Sequence, residues 1–312
     1  MTAAHSVLVT GGNGFIGRHL VRRLLRDGCE VSLLQRSPDQ IDPRAQILRV
    51  SRLGLDDMAA ALASRRFDAV FHLAGYGIRP DERNPDIMFH VNVDVTRALV
   101  DIASSWPACA VVIAGSGSEY RLEGVDRPIT EEHALECYKL YGASKAAGTL
   151  CATALAAARH IPFAACRIFG VYGPGEAPHR LLPCLMKGMH SNERIPLSSG
   201  RQQRDFLFVD DVIDALVRVA GALEREPRQF ILNVGTGRPI SVRDFARTAA
   251  ATLDLAESRL GFGDIPLRPD DVMMFSGCPD KLHALTGWTA TVGPSEGIQR
   301  CRDVEMAALK SA

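Results

Sequence analysis

The chain has 312 residues, 46% of them hydrophobic and 23% charged, and carries a formal net charge of +0. That length and composition fit one large α/β domain or two modest ones with a substantial core. The charge balance excludes the long-range field that draws a protein to nucleic acid or an anionic membrane, and no apolar run is long enough to span a bilayer. "MTAAHSVLVT" leads into an apolar run without a signal-peptide pattern, so a soluble, cytoplasmic protein is expected. The 8 cysteines are dispersed without a C-x-x-C pair, which points to neither a metal site nor a disulfide framework.

In chain order, "HSVLVT" reads as a strand, followed by a glycine-rich turn and the helix "FIGRHLVRRLLRDG", where Ile16, Leu20 and Leu24 recur at helical spacing. "CEVSLLQRS" is the next strand, "DDMAAALASRR" a helix, "FDAVFHLAG" a strand, "IMFHVNVDVTRALVDIASS" a helix and "CAVVIAGSGS" a strand. A long helix begins near Tyr141, and "IPFAACRIFGVYG" supplies a further strand. Strands alternating with helices imply a parallel sheet covered on both faces. After about residue 172 the segments shorten and are broken by Pro and Gly. The expected division is a nucleotide-binding domain over 1–172 and a smaller, mixed substrate domain over 173–312, with a segment near 205–238 returning to the first.

The turn "VTGGNGFIG" places Gly11, Gly14 and Gly17 between a strand and a helix, and Gly12, Gly14 and Gly17 also fit G-x-G-x-x-G. Glycines there let the backbone approach a pyrophosphate, which the helix N-terminus attracts. At the end of the second strand a carboxylate would grip the ribose 2′-hydroxyl of NAD. This chain has "LLQRS": Gln35 stands at that place and Arg36 follows. An arginine pairs with a 2′-phosphate through charge-assisted hydrogen bonds, so NADP(H) is expected, with NAD as the alternative.

"ECYKLYGASKAAG" holds Tyr141 and Lys145 four residues apart, on one helix face. That spacing alone is weak in a chain with five tyrosines and five lysines. Together with "TGGNGFIG", "FHLAG", "VNVDVTRALV", "GSGSEY", "VYGPG", "RDFLFVDDV", "NVGTG" and "RPDDVM", all in order, the chain resembles the extended short-chain dehydrogenase/reductases of the epimerase/dehydratase type, which modify nucleotide sugars. The resemblance implies a Rossmann fold, a doubly wound parallel α/β sheet with a smaller mixed C-terminal substrate-binding domain. It also implies that Gly11, Gly14, Phe15, Ile16, Gly17, Leu73, Ala74 and Lys145 hold the cofactor, and that Asn92 is structural. Ser116, Tyr141 and Lys145 become the catalytic set. Tyr141 is the general acid/base, Lys145 lowers its pKa and holds the nicotinamide ribose, and Ser116 polarises the reacting carbonyl. Ser118 is a helper at the substrate, while Arg204 and Arg268 meet the nucleotide and its diphosphate. Tyr138 reads as local packing, and Asp210 and Asp211 as N-caps. Members of the family often pair through long helices, and the small residues of "AAGTLCATALAAA" fit a homodimer.

Three readings follow from these residues. The first is an NADPH-dependent reductase of a nucleotide-linked 4-keto-6-deoxyhexose. The second is a 4-epimerase with tightly held NAD, and the third a non-enzymatic dinucleotide-binding regulator. Gly117 and Ser118 stand where sugar 4,6-dehydratases of the family carry acids, which argues against dehydration.

Overall fold

The computed structural model describes residues 5–39, 41–268 and 271–311. β1 (Ser6–Thr10) opens the fold, and α1 (Phe15–Arg26) follows it directly through the glycine turn. Leu20, Val21 and Leu24 line the buried face of α1, and Leu24→Ala there would cost about 2–5 kcal/mol. The chain then alternates through β2 (Glu30–Gln35), β3 (Gln46–Arg49), α2 (Leu55–Leu62) and β4 (Ala69–His72). Next come α3 (Pro85–Phe89), α4 (Thr96–Ala103), β5 (Ala110–Ser116), α5 (Leu140–Ala158) and β6 (Phe163–Ile168).

These six strands and the later strand Gln229–Val234 form one seven-stranded sheet, in the order Gln229–Val234, β6, β5, β4, β1, β2, β3. Every pairing in it is parallel. β4 and β6 are buried along their whole length, as a sheet covered on both faces requires. Because β1 sits between β4 and β2, the chain changes direction across the sheet beside β1, and the carboxyl ends of β1, β4 and β5 open onto one crevice.

The C-terminal region is built from α6 (Leu181–Lys187), α7 (Val209–Arg225), α8 (Val242–Thr252), α9 (Asp280–Thr286), α10 (Pro294–Ser311) and short two- and three-stranded ribbons. Phe206 and Phe245 stack there at 3.8 Å between ring centroids, with Tyr172 edge-on to both. α7 is amphipathic and packs its apolar face against α1, β5 and β6.

Two local expectations are corrected. The segment read as one helix over "IMFHVNVDVTRALVDIASS" is α3 and α4 joined by a π-helical turn, His90–Val95. The wider turn lets the Asn92 carbonyl sit against Gly148 of α5, where a Cβ would stand 2.0 Å from that oxygen. Asp210 and Asp211 do not cap α7, whose N-cap is Phe208 with no side-chain bond. Asp211 instead accepts hydrogen bonds from the backbone N–H groups of Thr291 and Val292, and Asp210 pairs with Arg300. Both acids still favour the helix N-terminus through the dipole.

Candidate active site

The glycine turn is closed by contacts that only glycine permits. Gly11 has φ +68, and a Cβ on it would meet the Ala74 nitrogen at 2.5 Å; one on Gly17 would meet the Gly11 carbonyl at 2.1 Å. The Gly14 N–H donates to the Gly11 carbonyl at 3.0 Å and Gly14 stays exposed at the start of α1, whose first N–H groups receive no side-chain cap. Phe15 and Ile16, both half-buried, follow in the first turn, and Leu73 and Ala74 leave β4 beside Gly11. An uncapped twelve-residue helix behind a turn whose one side chain is Asn13 fits the pyrophosphate of a dinucleotide.

At the end of β2 the Gln35 side chain is buried. Its amide nitrogen donates to the carbonyls of Ser37 and Asp39, both at 2.8 Å, which ties down the loop that follows. Arg36 is exposed next to it.

Ser116 ends β5, and residues 116–119 form a capping box: Glu119 accepts the Ser116 N–H at 2.8 Å, and the Ser116 oxygen accepts the Ser118 N–H at 3.1 Å. The Ser116 hydroxyl, which accepts from the turn that follows it, also pulls the pKa of the Tyr141 phenol down. Tyr141 stands in the first turn of α5, and Lys145 one turn later donates from Nζ to the Ala114 carbonyl on β5 at 2.7 Å. Lys145 is only 8% exposed, and burial lowers its pKa. The Ser144 hydroxyl donates to the Tyr141 carbonyl and receives the Asn92 amide at 3.0 Å, so the π-turn braces α5 from behind.

Around the Tyr141 phenol burial is the dominant influence. Burial pushes that phenol up to about 12, against the pull of the Ser116 hydroxyl and with Glu119 and Glu82 adding to the rise. The Lys145 ammonium is anchored to a backbone carbonyl, and desolvation of the ring is the larger effect.

Tyr138 is 79% exposed and lies under the Arg121 guanidinium at 5.4 Å. Ser118 is half-buried in the same turn as Ser116. Arg204 pairs with Asp271 at 2.7 Å, and the Asp271 N–H in turn bonds to the Arg268 carbonyl at 3.0 Å, so both arginines share one corner of the C-terminal region. Arg268 is exposed. Among the described residues no group of three or more His, Cys, Asp or Glu is arranged to hold a metal, and no helix is long and apolar enough to cross a membrane.

A nucleotide turn and a Ser–Tyr–Lys set on one sheet edge are what known sequences can test. Residues 7–235 match the model of the NAD dependent epimerase/dehydratase family. The chain belongs to that family. The family member from Rhizobium meliloti described as a probable UDP-glucuronate 4-epimerase is 26% identical over 327 residues, covering 94% of each chain. A dTDP-6-deoxy-L-talose 4-dehydrogenase (NAD(P)(+)) of Kitasatospora kifunensis is 30% identical over 258 residues, covering 78% of this chain and 79% of the other. Among solved structures, MoeE5 in complex with UDP-glucuronic acid and NAD superposes with a TM-score of 0.83 at 29% identity, covering 97% of this chain and 99% of that one. Enzymes of this family are NAD(P)-dependent, and their structures share the parallel Rossmann-like sheet found here.

One residue of this epimerase/dehydratase-type site escaped the reading of the sequence. Glu119 is wholly buried against Arg167, and the signal for it was the S-x-x-E capping box at 116–119.

Proposed function

We propose that this chain is an NADPH-dependent reductase of a nucleotide-diphosphate-linked keto-sugar, acting at C4 of a 6-deoxyhexose. The observation that carries this reading is the scarcity of acids next to Ser116. Gly117 and Ser118 follow it, and the carboxylate after them, Glu119, is 0% exposed with both oxygens already bonded. Dehydration needs further acid/base groups in reach of substrate, whereas carbonyl reduction needs one proton donor and one polarising donor. The similarity to a dTDP-6-deoxy-L-talose 4-dehydrogenase supports the reading, because 4-dehydrogenation and 4-keto reduction are one reaction in two directions.

A dinucleotide held by Gly11, Gly14 and Gly17 at the glycine turn would supply hydride for the carbonyl carbon. Ser116 donates a hydrogen bond to the carbonyl oxygen, and Tyr141 transfers its proton to that oxygen as the hydroxyl forms. A phenol held protonated by burial is in the right form for that step. Lys145 recovers charge balance beside it and orients the nicotinamide ribose. Arg204, held by Asp271, and Arg268 take the diphosphate, with Ser118 at the sugar. Arg36, with Gln35 in place of an acid, accommodates the 2′-phosphate. Ile87 and Phe89 on α3 and Leu140 and Leu150 on α5 remain exposed, and we assign that face to a homodimer. Leu150→Glu should then halve the mass measured by light scattering.

A second reading, a 4-epimerase with retained NAD, draws support from the similarity to a probable UDP-glucuronate 4-epimerase. One experiment separates the two. Purified protein is assayed for bound cofactor and for NADPH oxidation with dTDP-4-keto-6-deoxyhexoses. Turnover of NADPH supports the reductase; co-purified NAD with no response to NADPH overturns it in favour of the epimerase.

A further inference from the structure

Glu119 lies three residues beyond Ser116 and is 0% exposed. One of its oxygens, Oε1, accepts both the Ser116 N–H at 2.8 Å and the Thr149 hydroxyl at 3.1 Å. The other, Oε2, accepts Arg167 Nε of β6 at 2.8 Å. Thr149 stands one helical turn after Lys145 on α5, so a single carboxylate oxygen joins the turn that carries Ser116 to the helix that carries Tyr141 and Lys145. The fit is tight on every side. A Cβ on Gly115 would stand 2.7 Å from Oε1, and the Arg167 guanidinium lies 4.5 Å from the Tyr120 ring centroid. Tyr120 is itself tethered by its hydroxyl to Asn233 at 2.7 Å.

A buried ion pair is a poor device for stability alone, since apolar residues of similar volume do as well or better. Its geometry is what apolar residues do not replace. We infer that Glu119, with Arg167 behind it, is a positioning residue that bolts the Ser116 turn to the catalytic helix and so sets how the Ser116 and Tyr141 hydroxyls converge on one reacting oxygen. This rests on the proposed reading of the Ser116–Tyr141–Lys145 site and goes beyond it by assigning the group that holds the set in register.

The carboxylate also acts on Tyr141 through its charge. The charged and titratable groups around that phenol are Lys145 on its own helix, Glu119 from the turn and Glu82 from the loop after β4. Arg167 from β6 faces Glu119, and His72 from β4, near Lys145, is kept neutral by burial. Glu119 raises the Tyr141 pKa, so taking its charge away moves the titration of the phenol to lower pH.

The test uses the full-length enzyme with NADPH and a dTDP-linked 4-keto-6-deoxyhexose, reading kcat, KM, cofactor Kd by fluorescence and melting temperature. Glu119→Gln is expected to lower kcat about tenfold to a hundredfold with KM and Kd within about twofold, because a displacement near 1 Å at the reacting atoms has that effect. Its alkaline limb of kcat against pH moves to lower pH. Thr149→Val cuts only the tether to α5; kcat falls with an unchanged Kd, and Thr149→Ser restores it. Should Glu119→Gln fail to fold, the Thr149 pair decides the question. Wild-type kcat in Thr149→Val, or an unmoved alkaline limb in a folded Glu119→Gln, overturns the inference. Tyr141→Phe runs in parallel. If it keeps full turnover, the reading of the site fails and the inference falls with it; if it is inactive while Glu119→Gln is fully active, the inference fails alone. Tyrosine NMR with 13C at the ζ carbon reads the same phenol without substrate: an onset of titration at lower pH in Glu119→Gln supports the assignment, and an unchanged onset refutes it.

Discussion

Individual side chains in this protein are shifted most by burial, and those shifts have signs that can be checked. Tyr120 and Tyr141 are both pushed up to about 12 from an ordinary 10.0, chiefly by desolvation. Their neutral forms are favoured in the fold, so the stability they contribute is complete below pH 10 and is lost as pH rises towards 12. Thermal denaturation followed from pH 8 to 11.5 should show melting temperature falling from about pH 10, with the fall reduced in Tyr120→Phe. Glu176 is raised to about 7 by burial, and its Oε2 is buried with no hydrogen-bond partner. Its neutral carboxyl suits the fold below pH 4.5, and that contribution is lost as pH rises through 7. Glu176→Gln is therefore expected to match the wild type at pH 4.5 and to exceed it by roughly 1–3 kcal/mol at pH 8 in denaturant titrations. At the proposed catalytic centre, Tyr141→Phe should abolish turnover and leave the cofactor Kd unchanged.

At the level of elements, the site depends on how closely α5 approaches its neighbours. Gly142 and Gly148 on that helix have no room for a side chain; a Cβ would stand 2.2 Å from the Ser118 carbonyl and 2.0 Å from that of Asn92. Gly148→Ala forces α5 away from the π-turn and is expected to cost about 1–3 kcal/mol, with Lys145 displaced from the Ala114 carbonyl. A melting temperature unchanged from wild type would show that the π-turn gives way instead. The same elements explain what the sequence did and did not disclose. The alternation of strands and helices was plain because parallel strands buried on both faces are apolar throughout, as in "FDAVFHLAG" and "IPFAACRI". The π-turn was hidden because it interrupts one continuous helical stretch, and the contact its Asn92 carbonyl makes, at Gly148, comes from another helix. Glu119 was passed over because a capping box is local, whereas its partners Thr149 and Arg167 arrive from other elements.

Across the whole molecule, cofactor and fold are linked by mass action. A ligand that binds the native state alone at a hundred times its Kd stabilises by about 2.7 kcal/mol. NADPH is expected to raise the melting temperature more than NADH at equal concentration, and Arg36→Ala should erase that difference while leaving the response to NADH. An equal response of the wild type to both would refute the assignment of Arg36. By itself the sequence determined the alternation of strands and helices, the glycine turn and the Tyr141–Lys145 spacing, since each is written in neighbours along the chain. The family followed from their order. Only the tertiary structure decided that the strand Gln229–Val234 lies beside β6 and that Glu119 ties Ser116 to α5. Burial and cross-element hydrogen bonds set those outcomes, and both are created when distant parts of the chain pack together.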